Sequence, residues 1–260
     1  MPNQPCDTAS PLTKASTTPG AGGAKWVLLA ALACVAGLVF LSQNSGEAAV
    51  RLPAPALDAV ASVPATPQSA VFAGGCFWGV QAVFQHTRGV LNAVSGYAGG
   101  SKETAHYDNV ASGQTGHAES VQVSYDPQQI SYGKLLQIYF SVAHDPTEVN
   151  RQGPDYGTQY RSALFYQDAQ QQQVAERYID QLDAARFFPR KIATQLTPLA
   201  AFYPAEAHHQ DYATRNPYSP YIATYDKPKI ANLKRLLPEV YRESPVLVAS
   251  QAARTGAASQ

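Results

Sequence analysis

The chain has 260 residues, with 19 Lys+Arg against 19 Asp+Glu, so its formal charge is zero. That balance excludes a broadly basic nucleic-acid binder and an acidic solvating chain. Hydrophobic residues make up 45% and charged residues 15%, which excludes wholesale disorder, and three cysteines (Cys6, Cys34, Cys76) are too few for a disulfide scaffold or a four-cysteine zinc site.

Residues 1–25 are dominated by Pro, Thr, Ala, Gly and Ser. Such a segment buries too little apolar surface to offset its ordering entropy, so disorder is expected. An uncharged stretch of 21 residues follows Lys25, from Trp26 to Gly46. A helix rising about 1.5 Å per residue crosses a hydrocarbon core of about 30 Å with that length. Lys14 and Lys25 before it place the N-terminus inside. The length favours a retained anchor over a signal peptide, although Gly46-Glu47-Ala48 offers a small-x-small cleavage site. Either way the following domain is expected to be exported, to the periplasm or the extracytoplasmic face of the inner membrane. Residues 47–68 hold Pro53, Pro55, Pro64 and Pro67 and read as a semi-extended linker. One domain spans 69–243, and a flexible tail is expected over 244–260. Nothing in the sequence requires a second subunit, and a monomer is the default.

Within the domain, Ser69 to Phe72 reads as a strand running into a Gly74-Gly75 turn. A helix over Phe77 to Gln85 puts Phe77, Val80 and Phe84 on one face. Asn92 to Tyr97 reads as a strand. Glu119 to Tyr125 alternates, with Val121, Val123 and Tyr125 opposite Ser120, Gln122 and Ser124. Ser131 caps a predicted helix to about Val142, with Leu135, Leu136, Tyr139 and Phe140 inward. Gln159 to Tyr166 is a predicted strand. Gln167 to Ala185 is a predicted amphipathic helix with a Gln-rich outer face. Ile192 to Leu196 is a further strand candidate, and Lys229 to Leu237 a short late helix. Interleaved strands and helices imply an α/β or α+β class with one mixed sheet.

Four segments carry chemistry. Cys76 lies in Gly74-Gly75-Cys76-Phe77-Trp78-Gly79, between a strand and a helix start. Free backbone N–H groups and a positive helix end favour a thiolate there, although a lone cysteine is also commonly an inert core residue. Glu119 ends Thr115-Gly116-His117-Ala118-Glu119, at the start of an apolar strand. Gly153-Pro154-Asp155 and Gly157-Thr158-Gln159-Tyr160-Arg161-Ser162 form a turn into another strand. Phe202 to Tyr212 holds Glu206, His208 and His209; adjacent histidines point apart on a helix, which argues against a metal clamp.

Gly75-Cys76-Phe77-Trp78-Gly79 closely resembles the catalytic signature of A-type peptide methionine sulfoxide reductases. Gly96-Tyr97-Ala98-Gly99-Gly100, Thr115 to Glu119, Gly157 to Ser162 and Asn216-Pro217-Tyr218 add to the resemblance, in order, over roughly residues 69–236. The resemblance implies a two-layer α+β sandwich with a ferredoxin-like core, a mixed sheet and packed helices. It implies Cys76 as the nucleophile on the sulfoxide sulfur and Glu119 as proton donor to the departing oxygen. Tyr107, in His106-Tyr107-Asp108, and Tyr160 would hydrogen-bond that oxygen. Phe77 and Trp78 would wall the S-methyl group, and Asp155 would fix the bound substrate or the site geometry. It further implies S-epimer selectivity, action on oxidised proteins and free methionine sulfoxide, no metal and no bound organic cofactor. A thioredoxin-like or glutaredoxin-like thiol donor would reduce the enzyme. A carboxylic acid in an apolar pocket, with two phenols near it, suits protonation of a poor oxygen leaving group.

Many relatives carry further cysteines near the C-terminus. This sequence has Pro220-Tyr221-Ile222 there and no cysteine after Cys76. The expectation is therefore a single-cysteine enzyme whose sulfenic acid an external thiol reduces directly. Two other classes stay open on the residues alone. One is a cysteine hydrolase or acyltransferase pairing Cys76 with His117 or His144. The other is a non-catalytic module that binds oxidised methionine.

Overall fold

The structure, a computed structural model, describes residues 49–58 and 66–248. The expected disordered segment and the Trp26–Gly46 stretch lie outside these residues, as do Cys6, Cys34 and the end of the tail. Among the described residues no helix is long and apolar enough to cross a membrane.

Strand β1 (Gln68–Gly74) leads into helix α1 (Phe77–Gln85). Strands β2 (Val90–Ala98) and β3 (Ala118–Tyr125) follow, with a one-turn helix α2 (Tyr107–Val110) between them. Helix α3 (Tyr132–Ile138) continues into a π-helical turn (Tyr139–Ala143). A two-stranded ribbon, β4 (Arg151–Gln152) and β5 (Asp155–Tyr156), precedes strand β6 (Ser162–Tyr166) and helix α4 (Ala169–Ala184). Strands β7 (Gln195–Pro198) and β8 (Phe202–Pro204), a one-turn helix α5 (Tyr212–Arg215) and helix α6 (Lys227–Leu236) complete the domain.

The main sheet has the order β7-β6-β1-β3-β2-β8. β6 and β7 run parallel and the other neighbours antiparallel, so the sheet is mixed. Its centre, β6-β1-β3-β2 with crossovers through α1 and α3, is a ferredoxin-like βαββαβ unit. One face carries the main core: Phe72, Val121 and Val123 pack with Phe84 of α1, Leu135 of α3 and Tyr178 of α4. The other face has a smaller patch around Val71, Ala98 and Phe165, against which Leu199 and Phe202 pack. Among the described residues the helices lie on one face of the sheet, which makes this a two-layer α+β sandwich.

Local chemistry accounts for the element limits. Ser131 caps α3, its side chain accepting from Lys134 N at 3.1 Å. Asp168 caps α4 in the same way, accepting from Gln171 N at 2.8 Å. Helix α1 spans the expected residues, and Leu135, Leu136, Tyr139 and Phe140 are all buried as predicted.

Four expectations need correction. Residues 159–161 are not strand. They form a 3₁₀ turn, Thr158–Tyr160, closed by Tyr160 N–H on Gly157 O at 3.0 Å, and the strand begins at Ser162. The strand expected over Ile192–Leu196 begins only at Gln195, because Ala193 N–H is spent on Pro146 O.

The stretch read as linker is docked over residues 49–58. Leu52 is 1% exposed. Gln137 Nε2 donates to Leu52 O at 2.6 Å, Tyr178 OH to Pro53 O at 2.7 Å and Gln181 Nε2 to Ala54 O at 3.0 Å. Asp58 accepts Gly133 N–H at 2.8 Å, adding a second cap to α3. The start of the tail is also packed: Val246 N–H donates to Gln85 O at 3.0 Å, at the end of α1.

Candidate active site

Cys76 is the N-cap of α1. The turn that delivers it needs Gly75, whose φ is +85° and where a Cβ would lie 2.5 Å from Gln152 Cβ. The sulfur faces a carboxyl from the neighbouring strand, because β3 places Glu119 opposite Tyr97 of β2 at the same end of the sheet. Glu119 Oε2 accepts the first free N–H of α1, from Phe77, at 3.0 Å.

This arrangement corrects the expected thiolate. One of the amides that favour an anion at this helix start is already bonded to Glu119. Burial drives the Cys76 thiol well above its ordinary value, and the Glu119, Asp226 and Asp155 charges add to it; only the Trp78 N–H opposes. Glu119 is 3% exposed. Burial pushes its pKa up to about 8 against the Phe77 hydrogen bond, with Asp155 and Asp226 adding to the rise. Near neutral pH both groups hold their protons, so the resting site is a thiol beside a carboxylic acid.

The expected partners converge here. Tyr107, at the first turn of α2, and Tyr160, in the 3₁₀ turn, are half-buried. Burial raises both phenols and the Glu119 charge raises them further, which keeps them as O–H donors. Arg161 ties the Tyr160 turn to the start of β3, donating to Gly116 O at 2.9 Å and His117 O at 3.1 Å. Trp78 stacks on Tyr212 with ring centroids 3.8 Å apart and meets the edge of Tyr221 at 5.9 Å. Phe77 is 1% exposed and packs on Tyr97 and His209, so Trp78 is the more open member of the apolar wall. Asp155 accepts a hydrogen bond from Tyr221 OH.

The residues brought in without notice from the sequence are Tyr221, Asp226 and Lys229. Asp226 is fully buried against the first turn of α1, its Oδ1 only 2.2 Å from where a Gly79 Cβ would stand. Lys229, 7% exposed on the next turn, is the cation that offsets Asp155. Ile222, in the Pro220-Tyr221-Ile222 stretch, is buried with Ala82 and Ala213.

Neither candidate histidine is arranged for a hydrolase. His117 has Nδ1 accepting from Gly100 N–H at 3.2 Å and Nε2 2.9 Å from Ser101 O. His144 has Nε2 on Ser162 Oγ at 2.7 Å and Nδ1 3.3 Å from Tyr139 O. Both rings spend both nitrogens away from Cys76.

Residues 68–239 match the family of peptide methionine sulfoxide reductases. The chain belongs to that family. It is 58% identical over 183 residues to peptide methionine sulfoxide reductase MsrA 2 of Mesorhizobium japonicum, covering 70% of this chain and 94% of the relative. It is 50% identical over 186 residues to MsrA 2 of Synechocystis sp., covering 71% and 87%. Among solved structures, the reduced form of Mxr1 from Saccharomyces cerevisiae is 33% identical with a TM-score of 0.54, covering 62% of this chain and 94% of that one. Methionine sulfoxide reductase A of Corynebacterium diphtheriae is 34% identical with a TM-score of 0.52, covering 68% and 90%. The reductase is thus an enzyme of protein repair that returns methionine sulfoxide to methionine at the expense of thiols.

Proposed function

We propose that Cys76 is the nucleophile of this reductase and that it works without a second cysteine of the chain. The observation that carries the reading is the pairing of Cys76 with a neutral, buried Glu119 at one helix start. As the substrate sulfur approaches, Glu119 delivers its proton to the sulfoxide oxygen while Tyr107 and Tyr160 donate hydrogen bonds to it. The Cys76 proton passes to the carboxylate left behind. Oxygen is transferred from substrate to Cys76, so the sulfoxide is reduced to a thioether and the thiol oxidised to a sulfenic acid. Trp78, with Phe77 behind it, receives the S-methyl group, and Asp155, held by Tyr221, fixes the rim. The substrate is the S epimer, in proteins or free.

Recycling follows from the cysteine inventory. Cys76 is the only cysteine after Cys34, and Pro220-Tyr221-Ile222 stands in the stretch where the resemblance would put a further cysteine. A donor thiol therefore attacks the sulfenic acid directly, releasing water and forming a mixed disulfide; a second thiol frees Cys76. The donor is a thioredoxin-like or glutaredoxin-like protein. The 26–46 stretch supports an exported enzyme, anchored or released on the extracytoplasmic side, where the donor must then also lie.

Incubating the protein with each epimer of methionine sulfoxide and dithiothreitol tests the reading. Loss of the S epimer alone, abolished in Cys76→Ser, is expected. Turnover by Cys76→Ser, or equal loss of both epimers, overturns it. N-terminal sequencing of the processed protein separates anchor from signal peptide.

A further inference from the structure

Helix α4 ends in a turn that puts a basic and aromatic run, Arg186-Phe187-Phe188-Pro189-Arg190-Lys191, at the surface. Arg186 N–H donates to Asp183 O at 3.1 Å and Phe187 N–H to Leu182 O at 3.2 Å, the pair of bonds that closes a helix on a left-handed residue. That residue is Arg186, with φ +53°. Glycine fills such a position more cheaply, yet the sequence keeps a cation there. Phe188 packs against the main core, and Phe187 is left outward, 41% exposed.

Phe187 has apolar company. With Val50, 39% exposed, and Tyr225, 36% exposed, it lines a groove of about 290 Å³ walled by Phe140 and Pro228. The rim of this groove is basic, because Arg186, Arg190 and Lys191 are all exposed. The acids beside the loop are engaged. Asp183 Oδ1 accepts the Ile192 N–H at 3.0 Å, and Asp145 Oδ1 accepts the Thr147 N–H at 2.8 Å and hydroxyl at 2.7 Å. Arg190 donates to Thr147 Oγ1 at 2.9 Å and lies 3.9 Å from Asp145 Oδ2, with its side chain still 64% exposed. The chain as a whole is neutral, so this positive rim is a local feature.

The strap reaches the groove at its first described residues. Ala49 and Val50 line it, and Val50 N–H is fixed on Ser141 O at 3.3 Å. In the sequence the uncharged Trp26–Gly46 stretch ends three residues before Ala49. Three residues span at most about 10 Å.

We propose that the Arg186–Lys191 loop and the adjoining groove dock on a bilayer that carries anionic headgroups. This rests on the reading of the 26–46 stretch as a retained anchor, whose short tether keeps the groove within reach of the membrane surface. Phe187 and Val50 enter the headgroup layer and Tyr225 stands at its boundary. Arg186, Arg190 and Lys191 meet the lipid phosphates, each strengthening the attraction about fivefold. Charge selects this occupant: a second copy of the chain meeting the groove through the same face would bring like charge to the rim, whereas an anionic lipid surface complements it.

The test reconstitutes the full chain into vesicles of phosphatidylcholine alone and of phosphatidylcholine with phosphatidylglycerol. Hydrogen exchange is read on the peptide covering residues 186–192. Phosphatidylglycerol slows exchange at Phe188, Arg190 and Lys191 about fivefold or more, and high salt reverses the slowing. Phe187→Ser and Lys191→Ser each reduce it. Arg186→Gly reduces it too, without lowering the thermal midpoint, because glycine suits the left-handed turn. All three variants keep their turnover of free methionine S-sulfoxide in detergent, which shows that they fold. A chain that resists alkaline carbonate extraction but shows equal loop exchange in both vesicles would overturn the docking and leave the anchor standing. Protection that appears in detergent and grows with protein concentration would assign the patch to a second copy and overturn the docking as well. A chain stripped from both vesicles by carbonate would end the anchor reading, and the inference with it.

Discussion

Replacing Glu119 by glutamine isolates the strongest electrostatic feature of the site. The amide keeps the shape and an oxygen for the Phe77 N–H, but it does not titrate. The wild-type carboxyl titrates near 8 in the folded protein and near its ordinary 4.5 when unfolded. Between those values the unfolded chain has released the proton and the folded chain has not. Stability therefore declines as pH rises from 4.5 to 8 and levels off above it. Each pH unit inside that window is worth about 1.4 kcal/mol, so between about pH 5 and pH 9 the wild type loses about 4 kcal/mol more than the variant. Guanidinium unfolding of both proteins at the two pH values measures this double difference, and other titrating groups cancel in it. A wild-type-minus-variant difference that stays constant from pH 5 to pH 9 would show that Glu119 is ionised in the fold, and the proton donor would be lost from the account. With the acid assignment intact, Glu119→Gln also slows sulfenic acid formation by about a hundredfold or more.

Other expectations follow from the packing around the site. Gly79→Ala places a methyl 2.2 Å from Asp226 Oδ1, so α1 or the Asp226 turn must shift; activity falls sharply and the thermal midpoint drops, and an unchanged variant would disprove the close approach. Leu52→Ala opens a cavity under the strap and costs about 2–5 kcal/mol in denaturant unfolding, whereas a free linker would register no change. Tyr107→Phe and Tyr160→Phe each remove one of the proposed donors to the leaving oxygen and lower kcat about tenfold or more with KM little altered, measured by steady-state turnover.

Much of the scaffold was legible because its signals are local. The alternation of Val121, Val123 and Tyr125 marked β3, and Ser131 announced α3. Cys76 and Glu119 stood out because glycine-flanked motifs carry them. Other features depend on distant chain. The Pro-rich stretch reads as linker, yet Gln137, Tyr178 and Gln181 supply donors to its carbonyls from helices far along the sequence. Thr158 to Tyr160 has strand-like composition, but a turn closed on Gly157 decides its conformation. The thiolate expected at a helix start was overturned by burial in the folded core and by Glu119, a side chain 42 positions beyond Phe77 that accepts its amide. Asp226 and Lys229 offered only the hint of charges in a half-apolar late helix.

The central claim, a lone catalytic cysteine recycled from outside, is tested most directly by a single turnover without reductant. The full chain is mixed with an excess of methionine S-sulfoxide and analysed by intact mass and peptide mapping. One methionine formed per chain and one added oxygen on the peptide that contains Cys76, removed by a dithiol, are expected. A disulfide joining Cys76 to Cys34 or Cys6, or methionine formed with Cys76 unmodified, would contradict it.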